Sequence, residues 1–200
     1  MSKGKKGLLF TISGPSGVGK GTIIKKLKED YPGFVFPVSC TTREKRPREK
    51  EGDVYNFISK KKFKDWIKEK KFLEYAIVHE DNYYGTLKKP IMDALDKRKI
   101  VIREVDIQGA HSIMKVMPDE NLISIFIRAE SAEKLIGRIY KRGKLPAEEM
   151  ERRMESAERE MADVENFDYV VWNYEGRVAE CIKEVEEIVQ KEAKAAGIKV

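Results

Sequence analysis

The chain is poor in the residues that build covalent or metal-held scaffolds. Its 200 residues include two cysteines, Cys40 and Cys181, far apart in sequence, and two histidines, His79 and His111. That excludes a disulfide framework and the paired spacing of a zinc site, and neither histidine has a partner suited to metal binding or general-base work. Such cysteine usage fits a reducing cytoplasm. Long apolar runs are missing too, so no segment is expected to span a bilayer. The basic start MSKGKK before LLFTI resembles a signal peptide only superficially, because the run is short and leads straight into a glycine-rich loop. No internal repeat, low-complexity tract or flexible linker is present.

What the chain does have is enough apolar content, 41% of its residues, to close one sizeable core with smaller inserts upon it. Charged residues reach 37% without single-sign blocks, which fits an ion-paired surface rather than disorder. A net charge of +6 favours an anionic partner: a nucleotide, a nucleic acid or an acidic membrane. The positions of the charges must decide among these.

The decisive segment is GPSGVGKGT, Gly14 to Thr22, between the apolar run LLFTIS and the amphipathic stretch IIKKLKED. A phosphate loop needs a strand that stops abruptly, a backbone free to curl so that successive N–H groups converge on phosphate oxygens, and a helix N-terminus behind them. Gly14, Gly17, Gly19 and Gly21 are expected to relieve the steric limits on that curl, with Pro15, Ser16 and Val18 as its other members. Lys20 then brings a mobile point charge to the terminal phosphates. The pattern GxxxxGK(S/T) is met up to its last position, where Gly21 replaces the hydroxyl residue that would bind magnesium and Thr22 follows one place later. Whether Thr22 reaches the metal directly, through water or not at all is open at this point.

Apolar runs at Leu8 to Ile12, Val35 to Val38, Ile100 to Val105, Leu122 to Ile127 and Tyr169 to Trp172 alternate with helical periodicities. This predicts parallel strands joined by helical crossovers, a three-layer α/β sandwich. Ser131, Pro90 and Pro146 mark helix starts, and Val178 to Lys194 reads as an amphipathic closing helix. Two regions interrupt the regularity. Thr41 to Gly85 reads as an inserted α+β lobe, with strands near Tyr55 to Ile58 and Phe72 to Val78, a helix near Lys61 to Lys70 and an NYYG turn. Arg138 to Met161, dense in Arg and Glu, reads as a helical flap. Trp66 and Trp172 are expected in the core, as aromatic residues beside apolar neighbours usually are.

A phosphate loop leaves the reaction open, so the insert must identify the acceptor. Arg43 and Arg46 lie three residues apart after an expected strand end, and such guanidiniums can grip one phosphate, with a hydroxyl from Tyr55 or Tyr84 completing the cage. They also fit a solvated basic loop. Glu74 in FLEYA and Glu104 in IVIREVD are carboxylates in predicted strands. Each either faces solvent or pairs with lysine, or meets the amide and amino donors of a guanine, whose O6 would then need a hydroxyl from Ser39 or Thr86. Arg103, a charge in the same strand, either faces a boundary or pairs with an acidic neighbour.

With GPSGVGKGT, VSCTTREKRP, DVYNFIS, FLEYA, NYYGT and VDIQGA in this order and spacing, the chain resembles the guanylate kinases over nearly its whole length. The resemblance implies a P-loop NTPase core (1–40, 86–137 and 162–200), a GMP-binding lobe (41–85) and a lid (138–161). It also implies phosphoryl transfer from MgATP to GMP, with no nucleic acid and no membrane as partner. By this resemblance Ser39, Glu74, Thr86 and Glu104 read guanine, while Arg43, Arg46, Tyr55 and Tyr84 hold the GMP phosphate. Thr86 stands where the family often has Ser, and Glu104 where it often has Asp. Arg138, Arg142 and Arg153 fall at lid arginines that reach the transferred group, although ion-paired helix faces have the same spacing. Asn173 resembles the adenine contact, or marks a strand-end turn. Asp106 resembles an acidic residue that orients magnesium, or serves as a helix N-cap. The resemblance leaves two rivals: a module that binds a phosphorylated peptide through the same lobe, and a nucleic-acid binder suggested by the basic balance.

Overall fold

The computed structural model describes residues 6–47, 49–53, 55–78, 81–142 and 146–200. The side chains of Arg138 and Arg142 lie outside the described residues, as does His79. The central sheet holds β1 (Leu8–Ser13), β6 (Ile100–Glu104), β7 (Leu122–Arg128) and β8 (Tyr169–Trp172) in the order β6-β1-β7-β8, all parallel. Each of these strands was expected from its apolar run. Burial on both faces explains the runs: Leu8, Phe10 and Ile12 join one core cluster while Leu9 joins the other.

On the first face pack α1 (Lys20–Asp30) and α7 (Val178–Ala195), through Ile23, Leu27, Val185 and Val189. On the second pack α3 (Lys88–Asp96) and α4 (Ile107–Met114), through Ile91, Leu95, Ala110 and Ile113. The result is the three-layer α/β sandwich. The flap region forms α5 (Ala132–Arg142) and α6 (Ala147–Ala162). Ser131 caps α5 by accepting from the Lys134 amide at 3.3 Å. Ala157 of α6 is buried in the first cluster with Met154 and Met161 against it, so part of this helix belongs to the core. Among the described residues no helix is long and apolar enough to cross a membrane.

A second sheet joins β2 (Ser39–Thr41), β3 (Tyr55–Phe57), β4 (Phe72–Val78) and β5 (Asn82–Leu87) in the order β3-β2-β5-β4. It is covered by α2 (Lys60–Lys68), whose N-cap Ser59 accepts from the Lys62 amide. The sheet therefore starts at Ser39 and ends at Leu87, slightly outside the 41–85 span. Three expectations need correction. The NYYG segment is strand β5, not a turn. Val35–Val38 shrinks to a single bridge from Val35 to Val101, since Pro37 has no N–H to extend a ladder. Trp172 is exposed, with Tyr174 stacked at 5.8 Å and the Arg128 guanidinium 4.7 Å from its ring.

The second sheet rests on a small core of Cys40, Phe63 and Tyr83, with Phe72 stacked on Phe63 at 4.2 Å. Gly85 permits this, since a Cβ there would meet ring carbons of both phenylalanines at 2.9 Å. A core this small depends on its largest ring. Phe63→Ala is expected to cost about 3–5 kcal/mol, and hydrogen exchange should show amides of β2 and β5 losing protection while β1 and β7 keep theirs. Equal loss in both sheets would show that the lobe has no separate core.

Candidate active site

The loop after β1 is built as its glycines require. Gly14, Gly17 and Gly19 have φ of 138°, 84° and 109°, where side chains are strained. A Cβ on Gly14 would also sit 2.3 Å from the Ile127 carbonyl oxygen. Gly21 differs from expectation: it lies inside α1 with ordinary φ and open space around it, so the curl does not need it. Asn173, at the end of β8, is buried and donates from Nδ2 to the Val18 carbonyl at 2.7 Å. One amide N–H thus braces the loop. Lys20 folds over the loop, its Nζ donating to the carbonyls of Gly14 (2.6 Å) and Pro15 (3.2 Å). Burial lowers its pKa, opposed by the charges of Glu104, Glu160 and Asp106.

The parallel register sets Glu104 opposite Ile12 and Arg103 opposite Thr11, so the end of β6 emerges beside the loop. Asp106 is the N-cap of α4, its Oδ1 accepting from the Gly109 amide at 2.6 Å. That is the plain alternative the sequence offered, and it leaves Oδ2 for other work. Among the described residues no cluster of three or more His, Cys, Asp or Glu could hold a metal ion. Hard oxygen donors lining the cleft at the loop include Ser16, Thr22, Glu104, Asp106 and Glu160, a set that suits magnesium bound partly through substrate and water.

Facing the loop across a cleft of about 1000 Å³ are Ser39, Tyr55, Glu74 and Tyr84, one from each strand of the second sheet. The register pairs Glu74 with Thr86, and the Thr86 hydroxyl donates to Glu74 Oε1. Burial raises the Glu74 pKa, against the stabilising effects of Thr86 and Arg103. Thr86 is itself fully buried and does not line the cleft, so it supports Glu74 instead of offering its proton to a ligand. The rings of Tyr55 and Tyr84 meet edge to face at 5.5 Å, and the Arg43 guanidinium lies 5.6 Å from the Tyr55 ring.

Sequence reasoning missed Glu49 and Glu160, and noticed Arg103 without identifying its partners. Glu49 takes both Arg43 Nη2 contacts, at 2.7 and 3.0 Å, and accepts from the Arg46 backbone amide at 2.9 Å. It therefore orders the basic loop, while the Arg46 residue is exposed. Glu160 of α6 lines the cleft and accepts from the Ser156 hydroxyl at 2.9 Å. Arg103 reaches from β6 to the second sheet, where its Nε donates to Thr86 Oγ1 at 2.9 Å and its Nη2 to Ser39 Oγ. Glu49 and Glu160 bond to residues only three to six positions away, in stretches whose many charges single out neither, whereas the partners of Arg103 come from other strands. Arg153 lies on α6, partly buried and outside the cleft lining.

A phosphate loop facing a polar second lobe is matched by comparison with known families: the family model described as guanylate kinase covers residues 6–192. The chain belongs to the guanylate kinase family. It is 42% identical over 188 residues to the guanylate kinase of Clostridioides difficile, covering 94% of this chain and 89% of the relative. Identity to the guanylate kinase of Clostridium tetani is 44% over 188 residues, covering 94% and 88%. The crystal structure of guanylate kinase from Anaplasma phagocytophilum superposes with a TM-score of 0.74 at 31% identity, covering 94% of this chain and 87% of that one.

As a member of the guanylate kinase family, the chain should show the loop's steric demands in its stability. Gly14→Ala is expected to lose at least ~2 kcal/mol from positive φ and the Ile127 contact. Gly21→Ala should gain about 0.5–1 kcal/mol, as helical glycines replaced by alanine do. Denaturant unfolding of both variants checks this, and equal effects would contradict the geometry.

Proposed function

We propose that this chain transfers the terminal phosphoryl group of ATP to GMP, and also to dGMP, giving ADP and the nucleoside diphosphate. The observation that carries the reading is one cleft with a phosphate loop on one wall and a hydroxyl, a carboxylate and two tyrosines on the other. On the donor side, the amides from Gly14 to Thr22 cradle the triphosphate, and Lys20 turns from its two carbonyls to the terminal phosphates. Asn173 keeps the loop in shape beneath the nucleotide.

On the acceptor side, Ser39 donates to the guanine O6 while Glu74 and Glu104 accept from its amide and amino groups. Arg43 and Arg46, with Tyr55 and Tyr84, hold the acceptor phosphate. No protein nucleophile is needed. The acceptor phosphate attacks in line, and the protein contributes positioning and charge. Arg138, Arg142 and Arg153 in the 138–161 lid bring further positive charge to the moving group. Closure of the 41–85 lobe and the lid excludes the water that would otherwise hydrolyse ATP.

Magnesium, the metal we assign, neutralises charge on the donor phosphates when bound. Thr22 and the free oxygen of Asp106 are the side chains that would hold it or its waters. Cys40 and Cys181 are both buried, and this sparse cysteine usage supports a reducing, cytoplasmic setting. We assign neither nucleic acid nor membrane as partner, and place the activity in GMP recycling.

A panel of GMP, AMP, CMP and UMP with ATP and magnesium tests the reading. GMP is expected to be phosphorylated at least ~10³-fold more efficiently than AMP, since AMP leaves the buried acceptors unpaired. Equal use of AMP would sink the base assignment. Lys20→Ala should keep its unfolding temperature while losing at least ~10²-fold in turnover. Retained turnover would remove the loop lysine from the reaction.

A further inference from the structure

We infer that Arg103 is a positioning residue that fixes the hydrogen-bond polarity of the acceptor-base pocket and thereby selects a 2-amino-6-oxopurine over a 6-aminopurine. The inference rests on the GMP reading above and adds the device that enforces it. Arg103 sits on β6 of the central sheet, yet its guanidinium ends in the second sheet. Its Nε–H donates to Thr86 Oγ1 at 2.9 Å, its Nη2 donates to Ser39 Oγ, and its Nη1 lies 3.4 Å from the Pro37 carbonyl.

A guanidinium has five N–H donors and no acceptor. Both hydroxyl oxygens are therefore acceptors toward Arg103, and each keeps one proton to give elsewhere. Thr86 gives its proton to Glu74 Oε1. Ser39 lines the cleft, so its proton is directed to whatever base lies there. Thr86 supplies only one of the hydrogen bonds that Glu74 can accept, and Glu74 also lines the cleft, keeping acceptor capacity for a ligand. Ser39 and Glu74 thus present a donor and an acceptor in a fixed order, with Glu104 as a further acceptor beside them.

That order complements guanine, which presents an acceptor at O6 and donors at N1 and its 2-amino group. Adenine presents the reverse, an amino donor at the 6-position and an acceptor at N1, so like would face like at both points. Without a donor-only partner behind them, either hydroxyl could turn and accept. The planar fork matters more than the charge, because one group must reach two hydroxyls at once. Burial disfavours the charge on Arg103, and the carboxylates of Glu74 and then Glu104 offset this. The position therefore carries a cost that a purely structural strand residue would not need.

The test compares steady-state kinetics of the wild-type chain, Arg103→Met and Arg103→Lys with GMP and AMP. In Arg103→Met the KM for GMP is expected to rise about 10-fold or more while kcat at saturating GMP changes less than about threefold. The KM for ATP should stay unchanged, and the GMP-to-AMP preference should fall at least about 10-fold. Arg103→Lys, which keeps the charge without the fork, should resemble Arg103→Met. In a Ser39→Ala background the effects of Arg103→Met should be less than multiplicative. If the wild type shows no preference for GMP, the GMP reading itself fails. If the wild type prefers GMP and Arg103→Met keeps the same KM and preference, the inference is overturned. Restoration of wild-type selectivity by lysine, or fully multiplicative effects with Ser39→Ala, would also overturn it. Should Arg103→Met not fold, the lysine variant decides alone, selectivity loss supporting the inference and wild-type selectivity refuting it.

Discussion

The parallel pairing of β1 between β6 and β7 is the constraint from which the rest of the molecule follows. It forces the chain to stop at Ser13 and turn at Gly14 against the Ile127 carbonyl, where only a residue without a side chain fits. The same register brings Arg103 and Glu104 out beside that turn. The loop backbone and the side chains of Arg103 and Glu104 therefore meet at the carboxyl ends of the strands, where ligands bind in open α/β sheets. Two apolar clusters, one on each face, hold the strands against the torque of the loops they carry.

The second sheet is held by far less. Among the described residues its own core consists of three buried residues and a ring stack, whereas the central sheet has helices on both faces. Elements that must approach a substrate are drawn from the less stable parts of a fold, and this division suits a lobe that moves on a fixed base. Two cations lining the cleft are held by protein oxygens, Lys20 by two loop carbonyls and Arg103 by two hydroxyls, and Arg43 beside Tyr55 is held by Glu49.

The central strands were legible because burial on both faces writes a continuous apolar run, and the loop was legible because its glycines answer a local backbone demand. NYYG was misread since Asn and Gly are turn residues by composition; Gly85 is there because Phe63 and Phe72 pack over it, which is a tertiary cause. Trp172 was assigned to the core from its apolar neighbours, yet it ends an edge strand and stacks outward. In the site, Ser39, Tyr55, Glu74, Tyr84 and Glu104 gather at one cleft as the motifs suggested. Thr86 and Arg103 took their meaning only from contacts between different strands and Glu49 from the way its loop folds back onto Arg43, and hydrogen-bond direction in particular cannot be read from residue type alone.

The central claim is that one cleft holds two nucleotides, each on its own wall. The most direct measurement is calorimetric binding of adenosine and guanosine joined 5′ to 5′ through a chain of phosphates, beside ATP and GMP alone. If both walls are engaged at once, the joined molecule should bind about 10²-fold or more tightly than either nucleotide, because its second half binds within the same complex. Affinity no greater than that of the better single nucleotide would contradict the two-wall account.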